Sequence, residues 1–134
     1  MKVTEFMTRK IELIESDKSV YDAVERMVDK RIRSLLVQFP DDDQDKGVIT
    51  ARDVVFKVLA KGTDPNNIKV SEIASRPILS IDQNMDFDEA AKIMGKSNVA
   101  RAFVNADGRI IGVVALMDVM TATLIAKARG EHVF

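Results

Sequence analysis

The chain has no cysteine, no tryptophan and a single histidine, His132, among its last three residues. Without cysteine there is no disulfide framework, no thiolate metal site and no cysteine nucleophile. One histidine leaves zinc binding and histidine-based catalysis with too few groups. Aromatic residues make up 5% of the chain, which gives single-stranded nucleic acid no stacking platform. An excess of one charge is missing as well. The 20 basic and 21 acidic residues leave a net charge of −1, so the footprint of a nucleic-acid or anionic-membrane binder is absent. No apolar run approaches the ~18 residues of a membrane span, and the N-terminus carries no signal-peptide apolar region, which predicts a cytoplasmic protein.

What is present is a core and a repeat. At 134 residues and 46% hydrophobic, the chain can bury one real core. Gly47-Val48-Ile49-Thr50-Ala51-Arg52-Asp53 returns 65 residues later as Gly112-Val113-Val114-Ala115-Leu116-Met117-Asp118. Upstream the match continues at an offset of 67, through pairs such as Val3/Val70, Glu5/Glu72, Ile14/Ile81, Met27/Met94 and Val37/Val104. Nearly the whole chain is therefore one unit used twice. The offset changes inside a hairpin turn, where residues 39–46 face the shorter 105–109, so the first copy carries two extra residues there.

Each copy predicts the same element order. A short arm (1–8 and 70–74) is expected to pack on the other copy. Strands follow at 11–15 and 78–81. Ser16, Asp17 and Ser19 announce a helix to about Lys30, with Val20, Ala23, Val24, Met27 and Val28 on its apolar face, and its counterpart starts near Phe87. Strands 34–39 and 47–49 form a hairpin, as do 102–105 and 110–114. The last helices are 51–61, burying Val54, Val55, Val58 and Leu59 and stopping at Gly62, and 116–129. Met27, Met94, Met117 and Met120, at helical spacing, are expected in the core or at a subunit interface. The prediction is an α/β (α+β) fold of two β-α-β-β-α repeats, 1–64 and 65–134, packed about a pseudo-twofold axis so that both sheet faces are covered.

Duplication, element order and the Gly-x-[Ile/Val]-x-x-x-Asp motif together resemble a pair of cystathionine β-synthase (CBS) domains over essentially the whole chain. The resemblance implies a stand-alone regulatory module that binds an adenosine nucleotide (AMP, ADP or ATP) in a cleft between repeats, senses energy state and signals to a partner. It also implies a homodimer joined through its helices. No resident cofactor, metal, nucleic acid or membrane is implied, and a protein partner is left open.

The residues suit that ligand. Thr50 stands where a strand becomes a helix, so its hydroxyl and the first N–H groups suit a phosphate. Asp53 offers two acceptor oxygens to the adjacent hydroxyls of a ribose. The same Thr-x-x-Asp spacing also makes a capping box. By the resemblance, Arg33 and Arg101 at the entries to the middle strands would hold phosphate, Arg52 would assist, and Val48, Ile11 and Ile78 would line the slot for a base. For Arg33 the alternative is a solvated charge beside a helix C-terminus. In the second copy Ala115 replaces Thr50 and Met117 replaces Arg52 while Asp118 is kept, which predicts unequal sites with the Asp53 site the better one. No nucleophile has an adjacent base, so no catalytic residue and no enzymatic activity are expected. The acidic run 41–45 reads as a soluble turn, not a metal site. The competing reading is a ligand-free dimerisation or protein-docking module, and S-adenosylmethionine or nucleic-acid binding is a weaker third.

Overall fold

The structure, a computed structural model, describes residues 1–40 and 42–131, the side chains of 42–45 excepted. In chain order the elements are β1 (Leu13–Glu15), α1 (Val20–Lys30), β2 (Ser34–Phe39), β3 (Asp42–Thr50), α2 (Ala51–Lys57) and α3 (Val70–Ile73), then β4 (Ser80–Asp82), α4 (Phe87–Ser97), β5 (Arg101–Ala106), β6 (Arg109–Ala115) and α5 (Leu116–Ala128). This is the expected mixed α/β fold, built on two three-stranded sheets ordered β1-β2-β3 and β4-β5-β6. In each sheet the first pair is parallel, joined by a crossover helix, and the second is an antiparallel hairpin.

Local chemistry sets the boundaries. The Ser19 hydroxyl accepts the Asp22 N–H at 3.0 Å and starts α1. Arg31 and Asn98, 67 residues apart, end α1 and α4 in the same left-handed conformation with φ of 54°. The second hairpin turns at Asp107-Gly108, both left-handed, with the Asn105 side chain accepting the Gly108 N–H at 2.8 Å.

The chain forms two compact units, and these are out of phase with the sequence repeats. One is Glu12–Ile78; the other joins Met1–Ile11 to the segment from Leu79 onward. The arms cause the offset, for each docks on the sheet of the other repeat. Val3 is fully buried among Ile81, Met94 and Val104, and Thr8 exchanges backbone hydrogen bonds with Val113, both 2.9 Å. Val70 is fully buried with Ile14, Val20 and Ile49, and Ser75 exchanges the same pair of bonds with Val48. The motif glycines permit this crossing. A Cβ on Gly47 would stand 2.9 Å from the Ser75 carbonyl oxygen and 3.0 Å from the Phe39 ring; one on Gly112 would strike the Met7 sulfur.

Several apolar positions lie elsewhere than expected. The predicted 51–61 helix stops being α-helical at Lys57, continues as a 3-10 turn over Leu59–Lys61 and ends at left-handed Gly62. Val54 and Val58, four apart, share its buried stripe, whereas Val55 and Leu59 are turned one residue further round and stay 45% and 46% exposed. Val28 likewise leaves the α1 stripe and is exposed. Met27 and Met94 are core, but Met117 and Met120 are 63% and 56% exposed. On α5 the buried stripe is Ala122 and Ala126, small residues that bring the helix close to Phe87 and Phe6 and turn both methionines outward.

Two measurements follow from the arms. Gly47→Ala should cost roughly 1–3 kcal/mol in urea unfolding, because backbone carbonyl and ring must both give way. Gly112→Ala should cost less, since the flexible Met7 side chain can move. Equal, negligible losses would mean that the arms do not lie against the glycines. The second measurement concerns Glu5, whose carboxylate accepts the Lys2 N–H at 2.8 Å and the Arg129 guanidinium at 3.0 Å. The Lys2 bond first, and then Arg129, hold it below the ordinary carboxylate range. A carboxylate lowered in the folded state stabilises above its unfolded pKa, and that stability is lost as pH falls through the folded value. Glu5→Gln should therefore lower stability at pH 7 and flatten its decline in acid; an unchanged acid limb would contradict the pairing.

Candidate functional site

The candidate site of the Glu12–Ile78 unit is the junction of β2, β3 and α2. Thr50, last in β3, pairs with Ser34 of β2, and the Ala51 N–H donates to the Arg33 carbonyl oxygen at 2.9 Å. That register sets Arg33 beside the start of α2. The Thr50 hydroxyl accepts the Asp53 N–H and one Asp53 oxygen accepts the Thr50 N–H, each at 3.0 Å. Threonine and aspartate thus form the reciprocal capping box that their spacing allows. The cap uses one carboxylate oxygen; the other, Oδ1, lies 3.1 Å from the Lys57 ammonium. Lys57 also donates to the Ile73 carbonyl at the end of α3, at 3.2 Å.

Around this centre, Val48 is half-buried beside Ser75, and the Arg52 guanidinium stacks 4.5 Å over the Phe56 ring on the exposed side of α2. Arg33, Val48, Thr50, Arg52 and Asp53 therefore belong to one compact unit. Ile78 is half-buried at its boundary, and Ile11 is the last residue of the other unit's arm.

The second junction has the same frame and different chemistry. Arg101 pairs across the hairpin with Ala115, the place that Ser34 holds against Thr50. Asp118 accepts the Ala115 N–H at 2.7 Å, so half of the cap survives without a hydroxyl to complete it. Position 122, equivalent to Lys57, is a buried alanine.

Lys57 is the residue that motif reading passes over. Its signal was available in the i, i+4 spacing from Asp53, which sets carboxylate and ammonium on one helix face. Among the described residues no group of three or more His, Cys, Asp or Glu is placed to hold a metal. The acidic run 41–45 and His132 fall outside that search, since Asp41, the side chains of 42–45 and residues 132–134 are outside the description. No described helix is long and apolar enough to cross a membrane.

Comparison with known proteins places both junctions in one family. A CBS domain model matches residues 3–60 and again 70–124. Over 92 residues the chain is 37% identical to hypoxic response protein 1 of Mycobacterium tuberculosis, covering 69% of this chain and 60% of that protein. It is 33% identical over 110 residues to an uncharacterized protein of Methanocaldococcus jannaschii, 81% of this chain and 59% of that one. The chain spans 41–60% of the length of the first curated relatives it matches. Among solved structures, a hexameric CBS-CP12 protein from bloom-forming cyanobacteria superposes with a TM-score of 0.87 at 26% identity, over 95% of this chain and 73% of that one. Hypoxic response protein I, solved with two coordinated zinc ions, superposes at 0.72 and 26% identity, over 90% and 98%. CBS-domain pairs are generally regulatory, ligand-binding modules. With both of its repeats matched, this chain belongs to the CBS domain family, as a tandem pair.

Proposed function

We propose that the chain is a regulatory module that binds an adenosine nucleotide (AMP, ADP or ATP) at the Thr50–Asp53 junction and reports energy state to a partner. The observation that carries this reading is the retained aspartate. Asp118 persists where the threonine that would share its cap has become alanine, and both aspartates keep one carboxylate oxygen outside the cap. An oxygen so placed can accept a ribose hydroxyl while the helix start stays capped. Thr50 and the first α2 N–H groups favour phosphate, and Arg33 and Arg52 supply positive charge beside them. Arg101 supplies the cation of the second junction. Family membership supports a binding role over catalysis.

A second feature supports self-association. α5 is apolar on its outer side as well as its inner one. Leu116, Met117, Met120 and Leu124 are all exposed, and Leu124 reaches 73%. Sixty-five residues before Met117, Met120 and Leu124 stand Arg52, Val55 and Leu59, along α2 and the 3-10 turn that follows it, and Val55 and Leu59 are exposed there together with Phe56. An apolar strip repeated in both copies suits the helix-mediated homodimer that the family resemblance implies. The same strips would serve the competing reading, a protein-docking module without a ligand.

Two experiments separate these readings. Calorimetric titration with AMP, ADP and ATP should show binding that Asp53→Ala weakens at least tenfold and Asp118→Ala weakens less. Loss only in Asp118→Ala would reverse the assignment, and no heat with any nucleotide would favour the docking module. Sedimentation should show a dimer at micromolar concentration that Leu124→Glu converts to a folded monomer, because a buried unpaired carboxylate is costly. A wild-type monomer would remove self-association from the account.

A further inference from the structure

Lys57 has no counterpart in the second repeat, and it is fixed from two sides. Its ammonium meets the Asp53 carboxylate at 3.1 Å and the Ile73 carbonyl at 3.2 Å, so the end of α3 holds it against the aspartate. The equivalent position beyond Asp118 is the buried methyl of Ala122.

The charge balance of the two junctions therefore differs. Asp53 and Lys57 cancel, leaving Arg33 and Arg52 as the net charge beside the start of α2. The second junction has no ammonium one helical turn beyond Asp118. An anionic ligand brought to a carboxylate is repelled unless a cation cancels that carboxylate, whereas an uncharged ligand gains from the open oxygen. We infer that Lys57 is a specificity-determining residue: by cancelling the Asp53 charge it suits that site to a phosphorylated nucleoside over the uncharged nucleoside.

This rests on the nucleotide reading above and adds to it a rule for the ligand's charge. Lys57 acts through Asp53 and is a positioning residue. Lys57→Met keeps the aliphatic stem and removes the charge; Lys57→Arg keeps the charge. Both should be titrated with AMP and with adenosine at low ionic strength, in an Asp118→Ala background so that one site is read, with thermal unfolding recorded alongside.

The expected result for Lys57→Met is a fall of about three- to fivefold in AMP affinity, the range of a partly exposed ion pair. Adenosine affinity should hold or rise, and Lys57→Arg should restore the preference for AMP. An unchanged AMP-to-adenosine ratio with a lowered melting temperature would overturn the inference and leave Lys57 as a structural clip. Wild-type binding of adenosine in preference to AMP at the Asp53 site would also overturn it, while leaving the ribose role of Asp53 standing. Binding of neither compound by the parent protein would instead refute the nucleotide reading, and the inference with it.

Discussion

The close approach of each arm to the outer strand of a hairpin is the constraint on which the rest depends. Ser75 against Val48 and Thr8 against Val113 each close two backbone hydrogen bonds at an edge that would otherwise be bare. Backbone can come that near only where the neighbouring position has no Cβ, and Gly47 and Gly112 supply that position. The glycine that opens the repeated motif is thus explained by packing. It lets Val3 and Val70 reach the two cores, and it puts the compact units out of phase with the sequence repeats.

The aspartate that closes the motif is held by a different demand. Each β3-to-α2 or β6-to-α5 passage turns a strand directly into a helix, leaving first-turn N–H groups that need acceptors. Asp53 and Asp118 answer back to the N–H of the preceding strand residue, which fixes the carboxylate rigidly at the mouth of the junction. Capping and ligand binding are compatible uses of one side chain here, because a carboxylate has two oxygens and the cap occupies one. A first-turn aspartate pre-oriented by its own backbone has little side-chain freedom left to lose when a ligand arrives.

Much of this was legible in the sequence. The duplication, the hairpins and the motif positions came from internal self-similarity, and the Arg31/Asn98 caps fall at the same offset of 67. The arm exchange was also legible, since residues 1–8 and 70–74 have an apolar stripe and nothing local to cover it. Boundaries and faces were less so. The periodicity of 51–61 fits an α-helix throughout, but Val58 departs from helical geometry with its side chain fully inside the core. The outward turn of Met117 and Met120 was hidden because α5 is apolar on all sides, so its sequence does not single out the face that packs. Only the small volume of Ala122 and Ala126 marks it. Lys57 escaped notice because a motif read for ligand contacts does not look one helical turn beyond its last residue.

The central claim is that the Thr50–Asp53 junction receives the nucleotide. Amide chemical shifts recorded during a titration with AMP test it most directly. The account predicts that Ala51, Arg52 and Asp53 move first, together with Arg33 and with Ile73, whose carbonyl Lys57 holds. Saturable shifts confined to other segments, with the amides of 50–53 unmoved, would contradict it.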